Sequence, residues 1–248
     1  MELSNQSTNM KINFADLIVF ENEDYIVVNK PPHIATLDER NADNPLSILR
    51  LAKEYSSDAQ VGHRLDKETS GALAIAKNPE AYRHLAMQFE HRQTLKRYHA
   101  VVEGVHDFEG ISVYLPILSL PKDGIVKIDR QKGKEAETIF NTLKAYRHHT
   151  LVECMPISGR MHQIRIHLVC LKAPIVADET YGGKPIYLSE LKRKFNLKKD
   201  TEEQSIIKRV ALHAHSLTFS LLDGQEQTFV APYPKDFEVL VKLLDKYA

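Results

Sequence analysis

His63-Arg64-Leu65-Asp66-Lys67-Glu68-Thr69-Ser70-Gly71 brings carboxylates, cations, two hydroxyls and a glycine into one short stretch. It runs directly into Ala72-Leu73-Ala74-Ile75-Ala76, an apolar run that reads as a buried strand. A loop leading into a rigid strand is suited to holding reactive groups. A carboxylate there, with an ordinary pKa of about 3.9, is ionised at neutral pH and can serve as nucleophile or base. On residue type alone, however, Asp66 reads first as a surface or capping acid. Other residues carry the same double reading. Tyr98 is a sheet or core aromatic that could stack on a planar ligand. Arg165 binds phosphate or pairs with an acid along its helix. Arg160 and His162 are phosphate or loop contacts, and Lys30 either positions a polyanion or, with Pro31-Pro32, punctuates a strand.

Elements able to position these groups can be placed from periodicity. A strand is predicted over Tyr25 to Asn29, a helix over Pro45 to Tyr55, and a second helix from Asn78-Pro79, an N-cap followed by proline at the first helical position. Strands follow at Arg97 to Glu103, Ile111 to Leu115, Ile125 to Ile128, Ala136 to Leu143 and Thr150 to Met155, with Lys122-Asp123-Gly124 as a hairpin turn. Met161, Ile164, Leu168 and Leu171 form the stripe of a helix after Ser158-Gly159. Pro174 to Ala177 predicts a short strand, Tyr187 to Phe195 a polar helix, Leu212 to Leu221 a strand and Pro234 to Tyr247 a closing helix. Consecutive strands with few helices between them imply a mixed α+β fold. Its central sheet would be largely antiparallel with flanking helices, not doubly wound and parallel.

A chain of 248 residues can bury a sizeable core in one large domain or two smaller ones. No apolar run approaches the roughly 20 residues that span a bilayer, and Met1 to Ser7 lacks the basic and apolar regions of a secretion signal. A cytoplasmic protein without a membrane partner is expected. Cys154 and Cys170 each lie among apolar residues and read as buried, reduced thiols. His148-His149 and His213-x-His215 lack the partners of a metal motif. Lys+Arg and Asp+Glu both number 33, yet the charge is segregated. Arg83, Arg92, Lys96 and Arg97 face little acid in sequence, Arg160, Arg165 and Lys172 face none, and Lys192-Arg193-Lys194 precedes Lys198-Lys199. Such segregation permits a phosphate-facing surface on a neutral chain.

The string from His63 to Gly71 resembles the H-R-L-D-x-x-T-S-G signature of the RluA-type RNA pseudouridine synthases. The likeness spans about residues 24 to 238. Val27-Val28-Asn29-Lys30-Pro31-Pro32 is similar to the family's first motif, and Lys96-Arg97-Tyr98-His99-Ala100 to a later one. Pro156-Ile157-Ser158-Gly159-Arg160-Met161-His162-Gln163-Ile164-Arg165 resembles P-x-T-G-R-T-H-Q-I-R. Pro174 to Asp178, Tyr181-Gly182, Leu212-His213-Ala214 and Ala231-Pro232-Tyr233-Pro234 match the elements after it. Ser158 and Met161 stand where the family has threonines, and His33 to Arg40 departs from its G-L-x-V-H-P. Lys184 to Arg209 resembles an insertion that carries substrate contacts.

The resemblance implies the pseudouridine synthase fold, with residues 1–23 an extension, residues 24–248 one catalytic domain, and no separate S4 module. It implies isomerisation of specific uridines in structured ribosomal or transfer RNA, with Asp66 as the catalytic carboxylate. Arg165 is then the cation gripping Asp66, Tyr98 the aromatic on the flipped uracil, and Arg64 the residue entering the vacated base position. Lys30, Arg160 and His162 become substrate contacts, His63, Thr69 and Ser70 shape the loop, and Gly71 permits its turn. Isomerisation conserves atoms and electrons, so no cofactor or metal is expected, and the enzyme is expected to act as a monomer. Attack on the sugar, attack on the base, and proton removal to a glycal all stay open. So do two other activities: RNA chaperoning by the same fold without catalysis, and glycosidic cleavage that stops at base release.

Overall fold

Strand-forming residues dominate the chain between its helices, and they assemble into one large sheet. The computed structural model describes residues 12–38, 46–197 and 201–248. In chain order the elements are β1 (Ile18–Glu21), β2 (Tyr25–Lys30), α1 (Ile48–Tyr55), β3 (Gln60–Val61), β4 (Ser70–Ala76), α2 (Pro79–Glu90) and β5 (Leu95–Glu103). There follow β6 (Ile111–Tyr114), β7 (Ile117–Leu120), β8 (Ile125–Ile128), β9 (Glu137–Ala145), β10 (His149–Pro156) and α3 (Gln163–Cys170). Short α4 (Leu188–Leu191), β11 (Leu212–Ser220), β12 (Glu226–Val230) and α5 (Lys235–Tyr247) complete it. The sheet runs β1-β2-β4-β11-β5-β10-β9-β6, with β12 also on β11 and β3 on β4, while β7 and β8 form a separate hairpin. Among the described strand pairs, β4 with β11 is parallel and the others are antiparallel. This is the expected α+β arrangement.

Local chemistry explains the helix starts. Asn78 accepts the Ala81 N–H at 2.8 Å ahead of Pro79, and Ser47 accepts that of Arg50 at 3.1 Å. Strand β4 is buried on both faces. Leu73 and Ile75 pack with Ile48, Leu51 and Ala52 of the α1 side, while Ala72, Ala74 and Ala76 meet Ala81 and Leu85 of α2. A third cluster, built from β5, β10, α3 and α5 around Val101, Val152, Leu168 and Leu240, fills the other half.

Several elements differ from the sequence expectation. β1, β3, β7 and β12 are additional strands; β12 buries only Phe229, so its polar sequence carries no apolar alternation and its pairing to β11 defines it. Residues Phe14 to Glu21 are part of the body: Phe14 is buried in the α1 cluster and β1 pairs with β2. Pro174 to Ala177 makes one bridge, Ile175 to Val102, because Pro174 and the positive φ of Ala177 close off a ladder on either side. The polar helix shrinks to Leu188–Leu191, where only Leu191 is buried enough to hold it. Cys154 is buried but Cys170, at the solvent end of α3, is exposed. Pro45 and Lys198-Lys199 lie outside the described residues. No described helix is long and apolar enough to cross a membrane.

Gly71 sits where β4 meets β11, with φ +120°, and a Cβ there would lie 2.1 Å from the Ala214 carbonyl oxygen. Gly71→Ala combines a left-handed backbone with a clash against another backbone, so it should destabilise the protein by about 2–4 kcal/mol. Urea unfolding measures it; a loss below about 1 kcal/mol would mean that the two strands separate freely.

Candidate active site

Several contacts hold the signature loop where it enters β4. His63 Nε2 accepts the Ala74 N–H at 3.0 Å, and its ring stacks on Phe89 with centroids 4.3 Å apart. Thr36 Oγ1 donates to the Leu65 carbonyl at 2.9 Å and accepts the Leu65 N–H at 3.1 Å. The Thr69 N–H closes the turn on the Asp66 carbonyl at 3.0 Å. The His63 side chain bonds the loop's strand end and Ser70 Oγ lies 2.9 Å from His213 Nδ1, whereas Thr69 contributes through its backbone N–H.

Lys30 is not a surface contact. It is fully buried, and its ammonium donates to the carbonyls of Pro31, Ile34 and Lys67 at 3.0, 2.8 and 3.1 Å. Three acceptors match its three N–H groups. Burial lowers its pKa to about 7, with nearby Arg209 adding to the fall and Asp66 opposing it. Lys30 therefore ties the loop to β2, with its three N–H groups all taken by carbonyls.

Arg209, within the stretch expected to hold substrate contacts, is also a buried tether. Its guanidinium grips Asp236 at 2.7 and 3.0 Å and donates to the Glu68 carbonyl at 3.0 Å and to Ser70 Oγ at 3.2 Å. No apolar periodicity marks it in the sequence; only the proximity of Leu212-His213-Ala214 hints at a structural role.

Facing the loop is a cavity of about 610 Å³ lined by Asp66, Tyr98 and Arg165 together with Arg64, Arg160 and His162. β5 supplies Tyr98, whose hydroxyl is pushed well above its ordinary pKa by burial and then by Asp66. α3 supplies Arg165, but its fork closes on Asp178 at 2.7 and 2.6 Å. The expected grip on Asp66 is thus corrected: Asp178, itself buried, satisfies the charge, and Asp66 acts on Arg165 only through space. Asp178 lies too far along the chain for helical spacing to have exposed the pair. The side chain turned toward Asp66 is His162, with Nε2 3.9 Å from Oδ2.

The cavity is cationic although the chain is neutral. Arg64, Arg92, Lys96 and Arg160 line it against Asp66 and Glu90, while Asp178 meets the charge of Arg165, which also lies on the wall. Arg64 and Arg92 are exposed at its rim. Lys96 was expected on an open basic face but is buried, 3.4 Å from the Ser158 carbonyl, and burial, with Arg92 adding, lowers it to about 8. Arg160 donates from Nε to the Glu135 carbonyl at 3.1 Å, leaving the other end of its fork for an anion. Arg97 is withdrawn from the basic set by its pair with Glu153 at 2.9 Å.

Residues 24–169 match the RNA pseudouridylate synthase family. The chain is 37% identical over 96% of its length to a ribosomal large subunit pseudouridine synthase C of Buchnera aphidicola subsp. Baizongia pistaciae, covering 73% of that protein. It is 34% identical over 82% of its length to a dual-specificity RNA pseudouridine synthase RluA of Vibrio parahaemolyticus, covering 76% of it. Among solved structures, human RNA pseudouridylate synthase domain containing 4 superposes with a TM-score of 0.70 at 26% identity, over 94% of each chain.

Burial also sets an acid limit. It lowers His63 to about 3, with Lys96 adding, and His99 to about 3 and His213 to about 4. The unfolded chain takes up these protons near pH 6.5 and the folded one does not, so stability falls as pH drops from about 6.5 toward these values. Urea midpoints should decline steadily between pH 7 and pH 5. His63→Gln should flatten that slope by up to about 1.4 kcal/mol per pH unit; an unchanged slope would mean His63 is charged in the fold.

Proposed function

The chain belongs to the RNA pseudouridine synthase family and is an isomerase, and we propose that it converts uridine to pseudouridine in large-subunit ribosomal RNA with Asp66 as the catalytic carboxylate. The observation that carries this reading is Asp66 on the wall of a cationic cavity that Tyr98 also lines, with His162 beside it. A flipped nucleotide needs room, an aromatic face and neutralised phosphates, and the cavity offers each. Tyr98 receives the uracil on its face and keeps its hydroxyl neutral, because burial and Asp66 both resist its ionisation. Arg64, exposed beside the loop, takes the place the base has left. Arg160 and Arg92 hold the flanking phosphates. Asp66 reaches the glycosidic bond from the loop that Lys30 and Arg209 pin down. The ribosomal substrate is supported by relatives such as the Buchnera ribosomal large subunit pseudouridine synthase C. A second substrate, transfer RNA, is favoured by the dual-specificity Vibrio relative. The reading takes residues 24–248 as the catalytic unit, acting as a monomer in the cytoplasm and needing no cofactor.

Pseudouridine maps of total RNA from cells with and without this gene test the substrate. Sites lost from ribosomal RNA support the reading, and maps that do not differ overturn it. Asp66→Asn removes the charge and keeps the shape. It should bind RNA as the wild type does and form no measurable pseudouridine, and substantial turnover by the purified variant would sink the assignment. Glycosidic cleavage without isomerisation would appear as free uracil in the same assay.

Arg64→Ala should slow single-turnover modification of a folded stem-loop several-fold more than that of a short single strand. Extruding a stacked base costs a few kcal/mol, and the flexible strand avoids most of it. Equal fractional losses at saturating enzyme would assign Arg64 to something other than base extrusion.

A further inference from the structure

The pairing of Arg165 with Asp178 leaves open what orients the Asp66 carboxylate. We propose that Tyr181 and His162 do so: Tyr181 holds the His162 imidazole in its Nε2–H form, and that N–H is aimed at Asp66. The proposal rests on the reading of Asp66 as the catalytic carboxylate and makes His162 and Tyr181 positioning residues.

The geometry starts in the β7–β8 hairpin. The Val126 backbone N–H donates to the Tyr181 hydroxyl oxygen at 2.8 Å. A backbone N–H has no alternative role, so one acceptor position of that oxygen is committed. The same hydroxyl lies 2.9 Å from His162 Nδ1. Its single hydrogen then serves best toward the imidazole lone pair, which places the imidazole's own hydrogen on Nε2. That atom is the one 3.9 Å from Asp66 Oδ2. The opposite tautomer aims a lone pair at a carboxylate and leaves the phenol hydrogen without this acceptor. Electrostatics and hydrogen-bond accounting select the same form.

Backbone and packing agree. His162 is the N-cap of α3 in the left-handed region, with φ 51°, and makes no capping hydrogen bond with its side chain. A non-glycine residue is held there at some cost, and here the result is a ring directed into the cavity instead of onto the helix end. The Tyr181 ring stands edge-on to His162, with centroids 5.6 Å apart, and its face carries the Arg165 guanidinium at 4.9 Å. Asp178 neutralises that arginine, so the arginine fixes the tyrosine while the histidine addresses Asp66. The charged groups bearing on His162 are Asp66 and Arg64 from the loop, Arg165 from its own helix and Asp178 from the following turn; burial outweighs the acids and lowers its pKa. The imidazole is therefore neutral near pH 7. A separation of 3.9 Å is longer than a hydrogen bond, and a closing movement of about 1 Å when a nucleotide fills the cavity completes it.

The test joins a spectrum to a rate. In protein labelled with ¹⁵N-histidine, and with the His162 resonances assigned by comparison with His162→Gln, the wild-type imidazole should carry its proton on Nε2 at neutral pH. Tyr181→Phe, which keeps the ring under Arg165, should give a mixture of tautomers. It should also slow single-turnover pseudouridine formation about ten-fold at saturating enzyme with unchanged RNA affinity. His162→Gln, which retains an N–H donor, should keep more activity than His162→Leu. A wild-type proton on Nδ1, a charged wild-type imidazole, or a Tyr181→Phe variant at the full wild-type rate overturns the proposal. The wild-type spectrum is decisive even if Tyr181→Phe fails to fold, and His162→Leu serves the assignment if His162→Gln does not fold. Asp66→Asn run alongside separates the two readings. An active Asp66→Asn removes the catalytic role itself, whereas an inactive one beside a fully active Tyr181→Phe removes only the positioning chain.

Discussion

The fold depends on two backbones meeting at Gly71 and Ala214. β4 and β11 run parallel there, joined through Ser70 with His213 and Gly71 with Ala214, at a separation that excludes a Cβ. This contact sets where the loop before β4 ends, and so where Asp66 stands. The groups around it reinforce the same junction. Arg209 spans from the loop to Asp236 at the start of α5, His213 reaches back to Ser70, and Lys30 holds the loop from the β2 side. These contacts order the backbone of the loop that carries Asp66 on folding.

What could be read from the residues alone divides by the range of the interaction. Asn78-Pro79, the alternation around Tyr98 and the stripe from Ile164 to Leu168 depend on neighbours in sequence, and each element stands close to where it was expected. The signature loop was legible because its order of residues resembles a known family. Partners were not. Arg165 pairs with Asp178, and Lys30 donates to carbonyls as far away as Lys67. Arg209 joins Glu68 to Asp236. Nothing in periodicity tells a cation bound for solvent from one destined to satisfy buried carbonyls. The same blindness hid β12, whose ladder to β11 compensates for an apolar pattern that is nearly absent.

Charge follows a related logic. A chain with as many acids as bases still has a cationic cavity, because the cations lining it outnumber the acids. Glu153 takes Arg97, Asp236 takes Arg209 and Asp178 takes Arg165, while Arg64 and Arg92 stay at the rim. Net charge therefore says little about what the cavity admits; local pairing decides it.

The place of β11 has a consequence for how the protein is made. It lies between β4 and β5 in the sheet, yet it is made after both of them and after β6 to β10. Until then β4 and β5 each present an unpaired edge toward the gap, and the nascent chain carries a half-sheet that cannot close. Productive collapse waits for most of the polypeptide, and such late, long-distance pairing is slow. Assembly, more than the finished fold, is then the stage at which the sheet is most open to mispairing.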